Sequence, residues 1–166
     1  MIHGAAGFRV RVPAPDEAEA IARVRNVTWR ATYGHLLPAS FYDHHAFEQN
    51  AALWRSILRR RPQTLRVRVA EIEGGIVGFA SAGDPIGDDA PVRALQLHTL
   101  YVLPEHHGCG AGQALFDAVV GAEPAQLWVA EDNPRAHTFY RRNGFRPDGA
   151  EMVLPGTTLV EVRLVR

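Results

Sequence analysis

Three glycines at alternate positions, Gly108, Gly110 and Gly112, stand between a run that alternates as a strand and a run spaced as a helix. That junction constrains the fold more than any other stretch. Before it, Leu95, Leu97, Thr99 and Tyr101 alternate with Gln96, His98, Leu100 and Val102, and a run this apolar on both sets reads as a strand buried in a sheet, ended by Pro104. After it, Gln113-Ala114-Leu115-Phe116 opens a helical pattern. Glycine permits positive φ and close backbone approach, and a helix start offers unpaired N–H groups at the positive end of its dipole. The combination suits phosphate oxygens, but three glycines can also serve only as a tight connection.

The rest of the chain decides between those readings. Its 166 residues suit one domain, 1–166, with a real core. Lys+Arg and Asp+Glu both number 18, so overall charge does not favour nucleic acid or an anionic membrane as partner. All the basic residues are Arg, which excludes a Schiff-base or P-loop lysine. The single cysteine, Cys109, excludes an internal disulfide framework and cysteine metal clusters and fits a reducing compartment. No segment approaches the apolar length of a membrane span, and Met1 to Gly7 lacks the features of a signal segment, so a cytoplasmic location is expected.

In chain order, Phe8 to Val12 alternates as a strand, and Asp16 to Tyr33 carries a helical pattern. Ser40 is placed to cap a second helix toward Leu58, with Arg59-Arg60-Arg61 favouring its C-terminus before Pro62. Leu65 to Ile72 and Ile76 to Ala82 read as a hairpin through Glu73-Gly74-Gly75, and Gly83 to Pro91 as a loop. Past the glycine junction come a short strand at Leu127 to Ala130, a helix from Asn133 to Asn143 closed by Gly144, and strands at Ala150 to Leu154 and Leu159 to Leu164. The order predicts an α/β (α+β) domain with helices on both faces of a mixed, mostly antiparallel sheet. The crossover from Leu95–Val102 to Leu127–Ala130 predicts one central parallel pair, with a cleft at its C-terminal ends.

A second constellation follows the junction: Asn133, Ala136, Phe139, Tyr140 and Gly144-Phe145. Asn133 and Tyr140 are two helical turns apart and share a face. With both pieces in hand, the chain resembles the GNAT superfamily of acetyl-CoA-dependent N-acetyltransferases across nearly its whole length. The resemblance implies that backbone amides around Gly108, Gly110, Ala111, Gly112 and Gln113 hold the pyrophosphate of CoA, with Asn133 and Tyr140 lining the groove. It also implies that the backbone of Leu100, Tyr101 and Val102 pairs with the pantetheine amides, which can add to an open strand edge as a peptide does. A bulge near Tyr101 is expected to splay the strands. Where many relatives have Arg or Gln at the loop's first position, this chain has His107, a weaker anion partner.

Acetyl transfer to an amine requires a polarised thioester carbonyl, a proton acceptor and a stabilised thiolate. Tyr140 suits the last task, since a phenol can donate to a thiolate; it can also be an amphipathic core residue. The acceptor of the amine proton is expected to be His98, with a sheet-face role for that histidine and a water chain to Glu71 or Glu73 as the other readings. Cys109 lies in the loop, so transfer is expected to be direct rather than through an acyl-enzyme. Trp29 and Tyr33, with Phe41 and Tyr42, fall where this superfamily walls its acceptor pocket, and aromatics there hold an apolar body or a cationic amine, or simply build core. Asp84, Asp88 and Asp89 can attract a cationic acceptor or be solvated turn residues. The adjacent pairs His44-His45 and His106-His107 lack the spacing of a metal site, and none is expected.

The acceptor is expected to be a small-molecule or peptide amine, with a homodimer as one option for assembly. Two rivals remain: a non-catalytic acyl-CoA-binding or sensing module, and a nicotinamide oxidoreductase with Asp132 on the ribose. The oxidoreductase reading fits poorly, because the glycines run G-x-G-x-G rather than G-x-G-x-x-G.

Overall fold

The computed structural model describes residues 7–87 and 91–166. Its elements run β1 (Arg9–Arg11), α1 (Ala18–Tyr33), α2 (His44–Arg60), β2 (Arg66–Ile72), β3 (Gly75–Gly83), β4 (Gln96–Val102), α3 (Ala111–Val119), β5 (Gln126–Ala130), α4 (Pro134–Arg142), β6 (Arg146–Val153) and β7 (Val160–Val165). The seven strands form one sheet in the order β1-β2-β3-β4-β5-β7-β6. Every neighbouring pair is antiparallel except β4 and β5.

Successive residues of β3 show why both faces are covered. Phe79 meets Trp54 of α2 edge-on, at a centroid distance of 5.3 Å. Gly78 points the other way, where an added Cβ would lie 3.2 Å from Leu115 of α3. The period-2 alternation thus divides the core into a layer under α1 and α2 and a layer under α3. Ile21, Val24, Val69 and Phe79 are fully enclosed in the first region, and Leu115, Phe116, Phe145 and Leu127 in the second. Phe116 packs edge-on against both Phe139 and Phe145, which ties α3 to α4 and to the chain entering β6.

The parallel pair is the feature that positions the site. Its registered partners are only Gln96 with Gln126 and Leu97 with Leu127; beyond them the two strands part. At the closed end the Gln126 amide N–H donates to the Leu95 carbonyl at 2.9 Å. β4 also carries a bulge, because Thr99 faces Ser81 while Leu97 faces Ala82, which leaves His98 as the extra residue. The bulge therefore falls at His98 rather than near Tyr101. It bends β4 just where β5 is left behind, as a two-against-one mismatch does.

Two boundaries differ from the sequence expectation. Ser40 does not cap α2: residues Ala39–Phe41 form a separate 3-10 turn, and Asp43 caps the helix by accepting from the Ala46 amide at 2.9 Å. Both are good cap residues, and Pro38 starts the short turn that carries Ser40 past. β6 begins at Arg146, four residues before Ala150, because Pro147 pairs with Leu164 and residues 148–150 form a bulge before the pair Glu151–Val162 instead of a loop. Gly149 supplies the positive φ of 90° there.

Candidate functional site

The glycine junction folds as a loop leading into a helix. Gly108 and Gly110 have φ of 82° and 93°, and Gly110 is the N-cap of α3. A Cβ added at Gly108 would meet nothing within 4 Å, so the loop presents open backbone. The first helical hydrogen bond runs from the Ala114 amide to the Gly110 carbonyl at 3.1 Å. The amides of Ala111, Gly112 and Gln113 therefore lie in the turn whose N–H groups have no intrahelical acceptor. Gly112 takes an ordinary helical conformation, and its missing side chain keeps the first turn low. The Gln113 side chain is turned away to Asn143 and Asp117.

Beside this helix start runs the open edge of β4. The Leu103 amide donates to the Val77 carbonyl at 2.8 Å. Antiparallel alternation then directs the N–H and C=O of Leu100 and Val102 away from β3, into the gap that β5 has left, while those of Tyr101 face β3. His107 sits across the same edge, its Nε2 lying 2.8 Å from the Val102 carbonyl oxygen. A carbonyl only accepts, so Nε2 carries the proton. The ring N–H available for an anion is thus directed at the strand.

On the α1 side the gap is walled by aromatics. Trp29 donates from Nε1 to the Tyr101 hydroxyl at 2.9 Å, meets Tyr33 edge-on at 5.6 Å and stacks on Phe41 at 6.3 Å. The Arg25 guanidinium lies 4.2 Å from the centre of the Trp29 ring and donates to the Phe41 carbonyl at 2.6 Å. Burial lowers its pKa. Asn133 caps α4 by accepting from the Ala136 amide at 3.1 Å, and its Nδ2 donates to the Tyr33 hydroxyl at 3.2 Å. One side chain therefore joins the start of α4 to the end of α1.

Tyr140, from α4, closes the floor. Its ring is 9% exposed and packs edge-on against Phe139 and Phe145. Among the described residues its hydroxyl has no hydrogen-bond partner. Burial, with Tyr101 and Tyr33 adding to it, raises its pKa well above that of an ordinary phenol. Burial likewise pushes Tyr101 up to about 12 and raises Tyr33. Three neutral phenols thus face one gap, each a donor throughout the neutral range.

The structure brings together Trp29, Tyr33, Leu100, Tyr101, Val102, Asn133, Tyr140 and the loop from His107 to Gln113. It does not bring His98 to them. Its Nε2 lies 2.8 Å from the Asp84 carbonyl oxygen, at the turn after β3, and burial lowers its pKa. Glu71 is held by Arg9 and Arg11, which keep its carboxyl below the usual range. Asp88 and Asp89 lie outside the described residues. Among the described residues no three His, Cys, Asp or Glu side chains converge as metal ligands, and no helix is long and apolar enough to cross a membrane.

Two features of the site have no signal in the sequence. The Tyr101 side chain, rather than its backbone, builds the aromatic wall. Glu161, on β7 opposite Ala130, stands half-buried beside that wall, yet reads in sequence as the polar member of an alternating strand.

A family model for the GNAT acetyltransferase domain matches residues 63–147, which span β2 to the start of β6 and include both the splayed strands and the glycine loop. The chain belongs to the GNAT acetyltransferase family. This GNAT acetyltransferase is 29% identical over 163 residues to the uncharacterized N-acetyltransferase YuaI of Bacillus subtilis strain 168, covering 93% of this chain and 90% of YuaI. In fold it is similar to the ribosomal-protein-alanine N-acetyltransferase of Brucella melitensis, with a TM-score of 0.72 and 19% identity over 95% of this chain and 98% of the other. It is also similar in fold to the PaiA N-acetyltransferase of Thermoplasma acidophilum in complex with coenzyme A, with a TM-score of 0.62 and 20% identity over 94% and 97% of the two chains. The GNAT chain is accordingly an acyltransferase, and its mixed sheet with one parallel pair is the fold it shares with these proteins.

Proposed function

We propose that this GNAT N-acetyltransferase moves an acetyl group from acetyl-CoA directly to a primary amine. The observation that carries the reading is the gap between β4 and β5, which combines a free strand edge, a helix N-terminus with positive-φ glycines and a buried phenol. Each suits one part of an acyl-CoA. The amides of Ala111, Gly112 and Gln113, with the open backbone at Gly108 and Gly110, suit pyrophosphate oxygens. The outward N–H groups of Leu100 and Val102, with the Leu100 C=O, suit the amides of pantetheine, while the Val102 C=O is taken by His107.

Acetyl-CoA supplies an activated acyl group and a thiol leaving group. The protein's part is placement and charge control. The Tyr140 hydroxyl is a neutral donor on a largely buried ring, suited to hydrogen-bond a thiolate as it forms. His107 fixes the Val102 carbonyl and hence the line of the strand edge. Trp29 and Tyr33 offer apolar and π surface to the acceptor. Cys109 lies in the loop at the pyrophosphate end, which favours direct transfer over an acyl-enzyme.

The test compares binding of acetyl-CoA and NADH by calorimetry, then follows thiol release from acetyl-CoA across a panel of primary amines. Acetyl-CoA binding with amine-dependent thiol release is the expected result. NADH binding without acetyl-CoA binding would overturn the reading, and acetyl-CoA binding without turnover of any amine would favour a sensing module.

A further inference from the structure

Glu161 lies on β7 directly opposite Ala130, the last residue of β5, where the parallel pair has opened. Its cross-strand partner Ala130 belongs to the small apolar cluster on which Trp29 and Tyr33 pack, so Glu161 stands beside the aromatic wall on that face of the sheet. Around it the surface is apolar: Ala130, Leu37 and Leu159 form a small buried cluster, with Trp29 and Tyr33 packed on it.

Among the described residues the Glu161 carboxylate has neither a hydrogen bond nor an ion pair. The nearest cation along its own strand face, Arg163, is spent: its Nε lies 2.7 Å from the Asp148 carboxylate, and its guanidinium covers the Trp128 ring at 5.5 Å. Arg25 is committed to the Phe41 carbonyl and the Trp29 face. A half-buried carboxylate without a partner costs stability, and such a group in a cleft marks a site for a ligand of opposite charge. Glu71, Glu17 and Glu123, by contrast, each have an arginine.

We infer that Glu161 anchors the acceptor: its carboxylate binds the ammonium of a cationic primary amine whose apolar body lies on Trp29 and Tyr33, and takes one proton from that ammonium before attack. This rests on the acetyl-transfer reading of the same gap. One ammonium proton passes to a Glu161 oxygen, and the freed nitrogen lone pair forms the N–C bond to the thioester carbonyl. The C–S bond breaks with its electron pair on sulfur, where the Tyr140 hydroxyl donates. A second nitrogen proton ends on the thiol, Glu161 returns its proton to water, and the sum is an N-acetyl amide, a free thiol and one proton. Burial already raises the Glu161 pKa, in the direction a proton acceptor needs. The same carboxylate repels an acceptor that carries its own carboxylate beside the amine, so an amine without one is favoured over the matching α-amino acid.

The experiment uses the full chain saturated with CoA, titrated calorimetrically with 2-phenylethylamine and with phenylalanine, for wild type, Glu161→Gln and Glu161→Asp. Wild type is expected to bind 2-phenylethylamine at least tenfold more tightly than phenylalanine. Glu161→Gln should lose at least tenfold for the amine, narrow the gap between the two ligands and keep its acetyl-CoA affinity within twofold, and Glu161→Asp should recover part of the loss. Equal amine binding in wild type and Glu161→Gln, no preference over phenylalanine, or no binding of either probe would overturn the inference. Failure of acetyl-CoA to bind, or thiol release with no amine at all, would instead sink the acetyl-transfer reading, so the two failures are distinguishable.

Discussion

Gln126 donates from Nε2 to the Gln96 Oε1 at 3.1 Å, and both side chains are buried at the closed end of the parallel pair. Gln126 Oε1 also accepts from the amides of Val92 and Arg93, and Gln96 Oε1 from the amide of Ile86. These two amides pin β4 to β5 and to the preceding loop at the apex from which the strands diverge. A glutamine has the donor and acceptor such a junction needs, which a carboxylate or an apolar side chain lacks.

Gln126→Ala should therefore destabilise the fold. It removes the acceptor of the part-buried Val92 and Arg93 amides and the donor to Gln96, at about 0.5–1.5 kcal/mol for each hydrogen bond lost. Urea unfolding measures the loss, and a change under about 0.5 kcal/mol would show that the apex is held by its backbone alone.

Gly110→Ala should weaken acetyl-CoA binding and destabilise the chain, since its φ of 93° costs an L side chain about 1–2 kcal/mol. Gly112→Ala is the informative partner. Its backbone is helical and an added Cβ would lie 3.8 Å from Val102 Cγ2, an ordinary contact. Stability should hold in that variant, and a tenfold loss of acetyl-CoA affinity would show that the missing side chain serves the ligand.

Tyr140→Phe removes only a hydroxyl that has no protein partner among the described residues, so the core around Phe116 and Phe145 should stay intact. The expected effect is a fall in kcat of about 10²-fold or more with acetyl-CoA affinity retained, the pattern of a donor used as charge develops. An unchanged kcat would remove the role of the hydroxyl.

Glu161→Gln should raise stability at neutral pH while it harms acceptor binding. Burial raises the folded pKa of Glu161 above its unfolded value. The stability that goes with a raised pKa is fully present below the unfolded value and is lost as pH rises through the folded one. Wild type is thus penalised at pH 7, and glutamine is not. The groups facing the carboxylate are Tyr33 and Tyr101, both neutral in this range, and the Arg163–Asp148 pair beside it. Thermal unfolding should show the variant above wild type at pH 7 and the difference closing toward pH 4; a constant difference would point to packing instead.

The order of elements, both helix-bearing faces and the parallel pair were legible in the sequence, because each rests on local periodicity and on the handedness of one crossover. The turn from strand to helix at the glycine loop was legible for the same reason, since its backbone geometry lies within six consecutive residues. Other features were not, because they depend on strands far apart in sequence. Tyr101 finds Trp29 from 72 residues away and Asn133 finds Tyr33 from 100. The bulge at His98 arises from its register with Ser81 and Ala82, which β4 alone does not encode. Glu161 illustrates the limit best. An acid between Val160 and Val162 has the pattern of a solvated strand position, and only the pairing of β7 with β5 sets it opposite Ala130, beside the apolar cluster on which Trp29 and Tyr33 pack.

The proposed transfer within the gap between β4 and β5 runs directly from thioester to amine. Its most direct measurement is the stoichiometry of turnover by mass spectrometry, with acetyl-CoA and a panel of primary amines. The expected result is one N-acetylated amine for each CoA thiol released and no acetyl group left on the protein, at Cys109 or elsewhere. Thiol release that leaves the amines unmodified, or an acetylated protein that then passes its acetyl group to the amine, would contradict it.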